Sequence, residues 1–150
     1  MKPLRRLCCL GCLAFSVVAL GGDVVWCGPD GGSFTNAANW VGGVKPGAGD
    51  VCVFRPSGSL SVVVPNGASY ATGLRFESGE TTFAPEGSFA YTGFASTTGT
   101  VEVAEGATFT VDTIRIEQKN RTYRKAGKGT WAQKGNVCRD VSSSTACVLL

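Results

Sequence analysis

Histidine is absent from the 150-residue chain, and methionine occurs once. Without histidine the chain cannot build a Ser-His-Asp triad, a Cys-His pair or a histidine zinc site from its own residues. Charged residues make up only 17% and no 3.6-residue apolar period is sustained past residue 22, which argues against a helical bundle. Other signatures are missing too. Residues 47–50 (GAGD) lack the preceding strand, following helix and lysine of a phosphate loop. Asp23, Asp30 and Asp50 lack calcium-loop spacing and read as turn formers. Glu77, Glu80, Glu86, Glu102 and Glu105 flank glycines or alternate outward, so they read as solvated faces rather than a glycosidase pair. No catalytic residue, metal or cofactor is expected, and the chain is read as not an enzyme.

What is present is apolar and rich in turns. Hydrophobic residues reach 43%, enough for one core in a one-domain length, and the 21 glycines point to an all-β protein. The chain opens on an address. Lys2, Arg5 and Arg6 precede the apolar run 7–20 (LCCLGCLAFSVVAL), and Ala19 and Gly21 are small residues with cleavage-site spacing. This is the pattern of a secretory signal peptide over 1–21, too short to span a membrane stably, with cleavage expected after Gly21 or Gly22. The membrane is then met only during export, and the product is secreted or held at the cell surface. Loss of the three basic residues leaves eleven basic and eleven acidic ones. Four cysteines remain, Cys27, Cys52, Cys138 and Cys147; they allow two disulfides in three pairings, or free buried thiols.

Residues 51–114 read as short strands: 51–54, 60–64, 73–76, 81–83, 89–91, 100–103 and 108–111 are β-branched or aromatic and bounded by glycine. Alternate glycines among Gly58, Gly67, Gly79, Gly87, Gly99 and Gly106 lie 19 to 21 residues apart. A period near 20 with two turns predicts a short right-handed parallel β-solenoid, in which 60–64 stacks near 80–83, and that near 100–103. A β-sandwich with hairpins is the alternative.

Residues 22–50 hold Trp26, Gly31-Gly32, Phe34, Asn36, Asn39-Trp40, Pro46 and Asp50, followed by Phe54. This pattern resembles the start of bacterial exported β-helix proteins of the autotransporter-associated β-strand repeat type. There a W…G-x-F-x-[ND]-x-x-NW…P-x-x-x-D-x-[VA]-x-F stretch precedes the coils. Residues 121–131 (RTYRKAGKGTW) resemble the terminal strand-turn of the same proteins. The resemblance implies an exported β-helix and leaves molecular activity open. Trp26, Phe34 and Trp40 are expected to cap the open end of the solenoid, with a sugar-stacking platform as the alternative.

Charge is divided along the chain. Residues 22–114 carry three basic and nine acidic side chains, whereas 115–139 carry eight basic and one acidic. Within a basic C-terminal strand-turn segment over 115–150, residues 115–139 read either as a solvated edge or as a patch for a surface glycan or acidic polysaccharide, with Arg124, Lys125, Lys128 and Trp131 as the contacts. Nucleic acid is a poor partner for an exported protein. The expected function is a non-enzymatic surface or secreted protein of structural or adhesion type. The alternative is a carbohydrate-binding module or a fragment of a polysaccharide-degrading β-helix enzyme.

Overall fold

The computed structural model describes residues 21–70, 73–88, 90–94, 98–116 and 122–134. Most of the expected signal segment, Cys138 and Cys147 lie outside these residues. The described chain is a parallel β-solenoid of about four turns. The first turn supplies β1 (Asp23–Val25) and β2 (Gly32–Ser33), and the second β3 (Val51–Phe54), β4 (Ser59–Val64) and β5 (Ser69–Tyr70). The third contains β6 (Gly73–Phe76), β7 (Glu80–Pro85) and β8 (Ala90–Phe94). Then come β9 (Thr98–Val103), β10 (Thr108–Asp112) and β11 (Ile114–Ile116), followed by β12 (Thr122–Ala126) and β13 (Thr130–Lys134).

Three sheets result, in the orders β1-β3-β6-β9-β12, β2-β4-β7-β10-β13 and β5-β8-β11. All pairings between described strands are parallel, which is the solenoid arrangement and not that of hairpins. The sheets also reach beyond 51–114: β1 and β2 join them from the cap segment, and β12 and β13 from the basic segment.

One expected stacking holds and the next does not. Strand β4 lies on β7, with Ser59 opposite Glu80. Strand β7 lies on β10, with Glu80 opposite Thr108, 28 residues on, while residues 100–103 lie on β6 instead. The glycines explain the slip. Gly58 and Gly79 occupy the same corner in successive turns, since their carbonyls accept from Glu80 and Thr108 at 2.9 Å. Gly99 sits inside β9, and Gly106 returns to the first corner rather than following Gly87. At Gly79, φ is +64° and an added Cβ would lie 2.5 Å from the Gly58 carbonyl oxygen, so that corner requires glycine.

Period-2 alternation sends Phe54, Phe76, Phe83, Val101, Val103, Phe109 and Val111 into one axial core. Phe54 stacks on Phe76 at 5.1 Å, Phe76 on Phe109 at 4.1 Å, and Phe83 meets Phe109 edge to face at 4.9 Å. Cys52 joins this core, fully buried, whereas Cys27 is an exposed free thiol, so no disulfide links the two.

Trp26, Phe34 and Trp40 close the N-terminal end over Phe54. Trp40 stands edge-on to Trp26 at 5.1 Å and to Phe34 at 5.2 Å, and lies 5.7 Å from Phe54. Their exposures are 8% for Trp26, 4% for Phe34 and 1% for Trp40. Both indole N–H groups are satisfied inside the cap: Trp40 donates to the Phe34 carbonyl at 2.9 Å and Trp26 to that of Gly28 at 3.0 Å. An antiparallel bridge between Trp26 and Trp40 covers the outer edge of β1 there, with Cys27 N–H on Asn39 and Val41 N–H on Val25, each 2.9 Å. The polar residues hold the loop. Asn36 accepts from Ala38 N–H, buried Asn39 donates to the Ser33 carbonyl at 2.9 Å, and Asp30 accepts from Ser61 N–H at 2.7 Å.

Candidate functional site

The sequence offered two groups of binding residues, and the structure separates them. Trp26, Phe34 and Trp40 lie within the core, so their rings present no open face on which a sugar could stack. Trp131 is only half-buried and packs on Phe109, the ring centroids 6.0 Å apart.

The basic residues sit on the last described turn, each with a different environment. Arg124 lies opposite Thr100 and is exposed on the outside of the first sheet. Lys128 is exposed at a corner, its ammonium 3.7 Å from Glu105 of the turn before. Lys134 pairs in register with Asp112. The charge division of the sequence is therefore partly a stacking device, with basic positions of the last turn laid against acidic ones of the preceding turn. Lys125 departs from expectation. It occupies the same register column as Cys52, Leu74 and Val101, an inward position, and its ammonium turns back to the Gly127 carbonyl. Buried Tyr123, two residues earlier, fixes this phase, and strand alternation from Tyr123 was the available sequence signal. An inward lysine marks a turn that does not continue the apolar core unchanged.

Carboxylates elsewhere serve the scaffold. Arg75 bridges three turns on the outer face of the first sheet, donating to Asp23 at 2.5 Å and to Glu102 at 3.1 Å. The hydrogen bond that Arg75 donates to Asp23, followed by the weaker one to Glu102, raises its guanidinium above the ordinary range. Glu80 accepts from Ser59 at 3.0 Å, and Glu77 lies 3.8 Å from Arg55. Asp50 accepts from the N–H groups of Gly22 and Gly47, and these bonds hold its carboxyl below the usual carboxylate range. Among the described residues, no three acidic or cysteine side chains gather as metal ligands would.

The outer face of the second sheet carries hydroxyls in register. Ser59, Glu80, Thr108 and Thr130 form one column, and Ser61, Thr82, Thr110 and Ala132 the next. Threonine is at home on a half-exposed pleated surface, so β-propensity accounts for much of this ladder.

One cleft went unread in the sequence. Thr35, Lys45, Pro46, Pro65 and Asn66 line an open cavity of about 340 Å³ beside the cap. Pro46-Gly47 and Asn66-Gly67 are legible as turns, but nothing in one dimension places the two turns side by side. The cleft offers proline surfaces, hydroxyls and one ammonium, a set suited to holding a polar or anionic group and lacking an acid–base pair. Comparison with protein-family models, with curated proteins and with solved structures finds no match.

Proposed function

We propose that this chain is a non-enzymatic exported protein, secreted or held at the cell surface, of structural or adhesion type. The solenoid serves as a rigid rod, and the turns and last coil make the contacts. The partner class is a surface glycan, with acidic polysaccharides favoured by Arg124 and Lys128. The observation that carries the proposal is the occupation of seven of the described carboxylates. Asp23, Asp30, Asp50, Glu77, Glu80, Glu102 and Glu105 each hold backbone, a neighbouring hydroxyl or a cation of the scaffold. A glycosidase needs two carboxyl groups facing each other across a substrate. The export half rests on the basic, apolar and small-residue pattern of residues 1–21 and on the resemblance of residues 25–54 to exported β-helix proteins.

The test is expression of the full chain in a bacterial host, followed by fractionation and incubation with a panel of polysaccharides. A shortened protein outside the cytoplasm that retains glycans without releasing reducing ends is the expected result. Cytoplasmic retention at full length defeats the export half, and release of new reducing ends defeats the non-enzymatic half.

A further inference from the structure

We infer that the Gly21–Gly22 bond is the processing site, and that the freed Gly22 ammonium forms an ion pair with the Asp50 carboxylate. This rests on the export proposal above. The sequence leaves two bonds open, after Gly21 or after Gly22. The structure distinguishes them. Gly22 is bonded at both ends: its N–H donates to Asp50 Oδ1 at 3.0 Å, and its carbonyl accepts from Val51 N–H at 2.9 Å. A cut after Gly22 would delete both bonds and leave β1 to begin at the new terminus. A cut after Gly21 keeps both. It also retains Ala19 and Gly21 as the small residues a signal peptidase reads, whereas the later cut would put Leu20 in the first of those places.

The chemistry at that bond is a hydrolysis. Water adds to the Gly21 carbonyl carbon, the C–N bond breaks, Gly21 leaves as a carboxylate and the Gly22 nitrogen is protonated. An α-amino group has an ordinary pKa of about 8, so it is an ammonium at neutral pH. The new charge arises at a nitrogen already 3.0 Å from a carboxylate oxygen. A neutral hydrogen-bond donor thereby becomes a charge-assisted one. Asp50 holds the other side of the clamp through Oδ2, which accepts from Gly47 N–H at 2.7 Å. The mature terminus would thus tie β1 to the turn that leads into β3.

Gly21 itself lies close to the turn: a Cβ there would lie 1.6 Å from the Gly49 carbonyl oxygen, so the position has no room for a side chain. Gly21 and Gly22 are both exposed, as a bond open to a peptidase must be.

The first measurement is the intact mass and N-terminal sequence of the exported protein. A start at Gly22 is expected; a start at Asp23 or any other residue overturns the assignment. If no processed product forms at all, the export proposal and the cleavage fall together. The ion pair is decided separately, on a protein released with a Gly22 terminus by cutting a tag in vitro. Acetylation of Gly22 should lower Tm by about 1–4 °C at low salt and should have no effect in Asp50→Asn, whose folding is confirmed by circular dichroism. Equal melting of acetylated and free forms, or the same loss in Asp50→Asn, overturns the pair.

Discussion

Phe76 and Phe109 lie face to face, 4.1 Å between ring centroids and 14° between planes, although they belong to different sheets. The contact joins the stack begun by Phe54 in the first sheet to Phe109 in the second, and through Phe109 to Trp131. The aromatic rings thus run continuously from the N-terminal cap to the last described turn. Offset ring pairs add about 0.5–1.5 kcal/mol each beyond the area they bury.

Phe109 is the joint of that column, and its removal should cost a large share of the domain's stability. Phe109→Ala is expected to lose about 3–5 kcal/mol, and Phe109→Leu about 1–3 kcal/mol. Urea unfolding of the Gly22–Leu150 protein measures both. A loss below about 0.5 kcal/mol for Phe109→Leu, the size of an ordinary surface change, would show that the column is not a unit.

Trp40 should behave as a core residue. Trp40→Ala is expected to cost about 3–5 kcal/mol, since it empties the cap and removes the indole hydrogen bond to the Phe34 carbonyl. A melting curve that barely moves, combined with lost glycan retention, would instead restore the sugar platform.

Thr81 offers the opposite sign. It is 1% exposed, and its hydroxyl has no hydrogen-bond partner among the described residues. It occupies the inward column between Leu60 and Phe109. Thr81→Val keeps the shape and removes the orphaned hydroxyl, so it should stabilise by about 1 kcal/mol and raise Tm by a few degrees. An unchanged or lower Tm counts against a dry core at that position.

Acid should loosen the clamp at Asp50. Its folded pKa lies below the ordinary 3.8, so the stabilisation is complete above that value and is lost as pH falls through 3.8 toward the folded value. Melting of wild type and Asp50→Asn from about pH 6 to about pH 2, roughly two units either side of the ordinary carboxylate pKa, tests this. The gap between the two proteins should be widest at the upper end and close at the lower end. A gap that is constant with pH would exclude the carboxylate as its cause.

The basic turn divides into surface and scaffold. Arg124→Gln with Lys128→Gln should leave Tm within about 2 °C, as expected of exposed charges, and should weaken retention on an acidic polysaccharide. That retention should also fall steeply with salt, because the screening length is about 8 Å at physiological ionic strength. Equal retention by the variant and the parent at low salt would make these side chains a solubilising edge.

Much of the fold was legible because its signals are local. Val51-Cys52-Val53-Phe54 and Thr108-Phe109-Thr110-Val111 are strands by composition and are bounded by glycine, and both form where expected. The lengths of the turns were not legible. Glycine marks a corner without saying which corner, so Gly87 and Gly106 looked equivalent although they serve different ones. The fate of the aromatics was half legible. Trp26 and Trp40 read as a cap, but the carbonyls that satisfy their indoles belong to the folded loop alone. The basic segment was least legible: a lysine at an inward register position has the same letter as one in solvent. Only the phase set by Tyr123 distinguishes Lys125 from Lys128.

Partners in successive turns are separated by short stretches of chain. Ser59 meets Glu80, and Thr108 meets Thr130, after only 21 and 22 residues. Closing loops of that size costs little entropy, and each turn leans mainly on its neighbours. Such a chain can assemble as it is delivered, beginning with the cap and growing one turn at a time, without waiting for its far end. A ribosome or an export channel that releases the N-terminus first hands over the template before the layers that will be built on it.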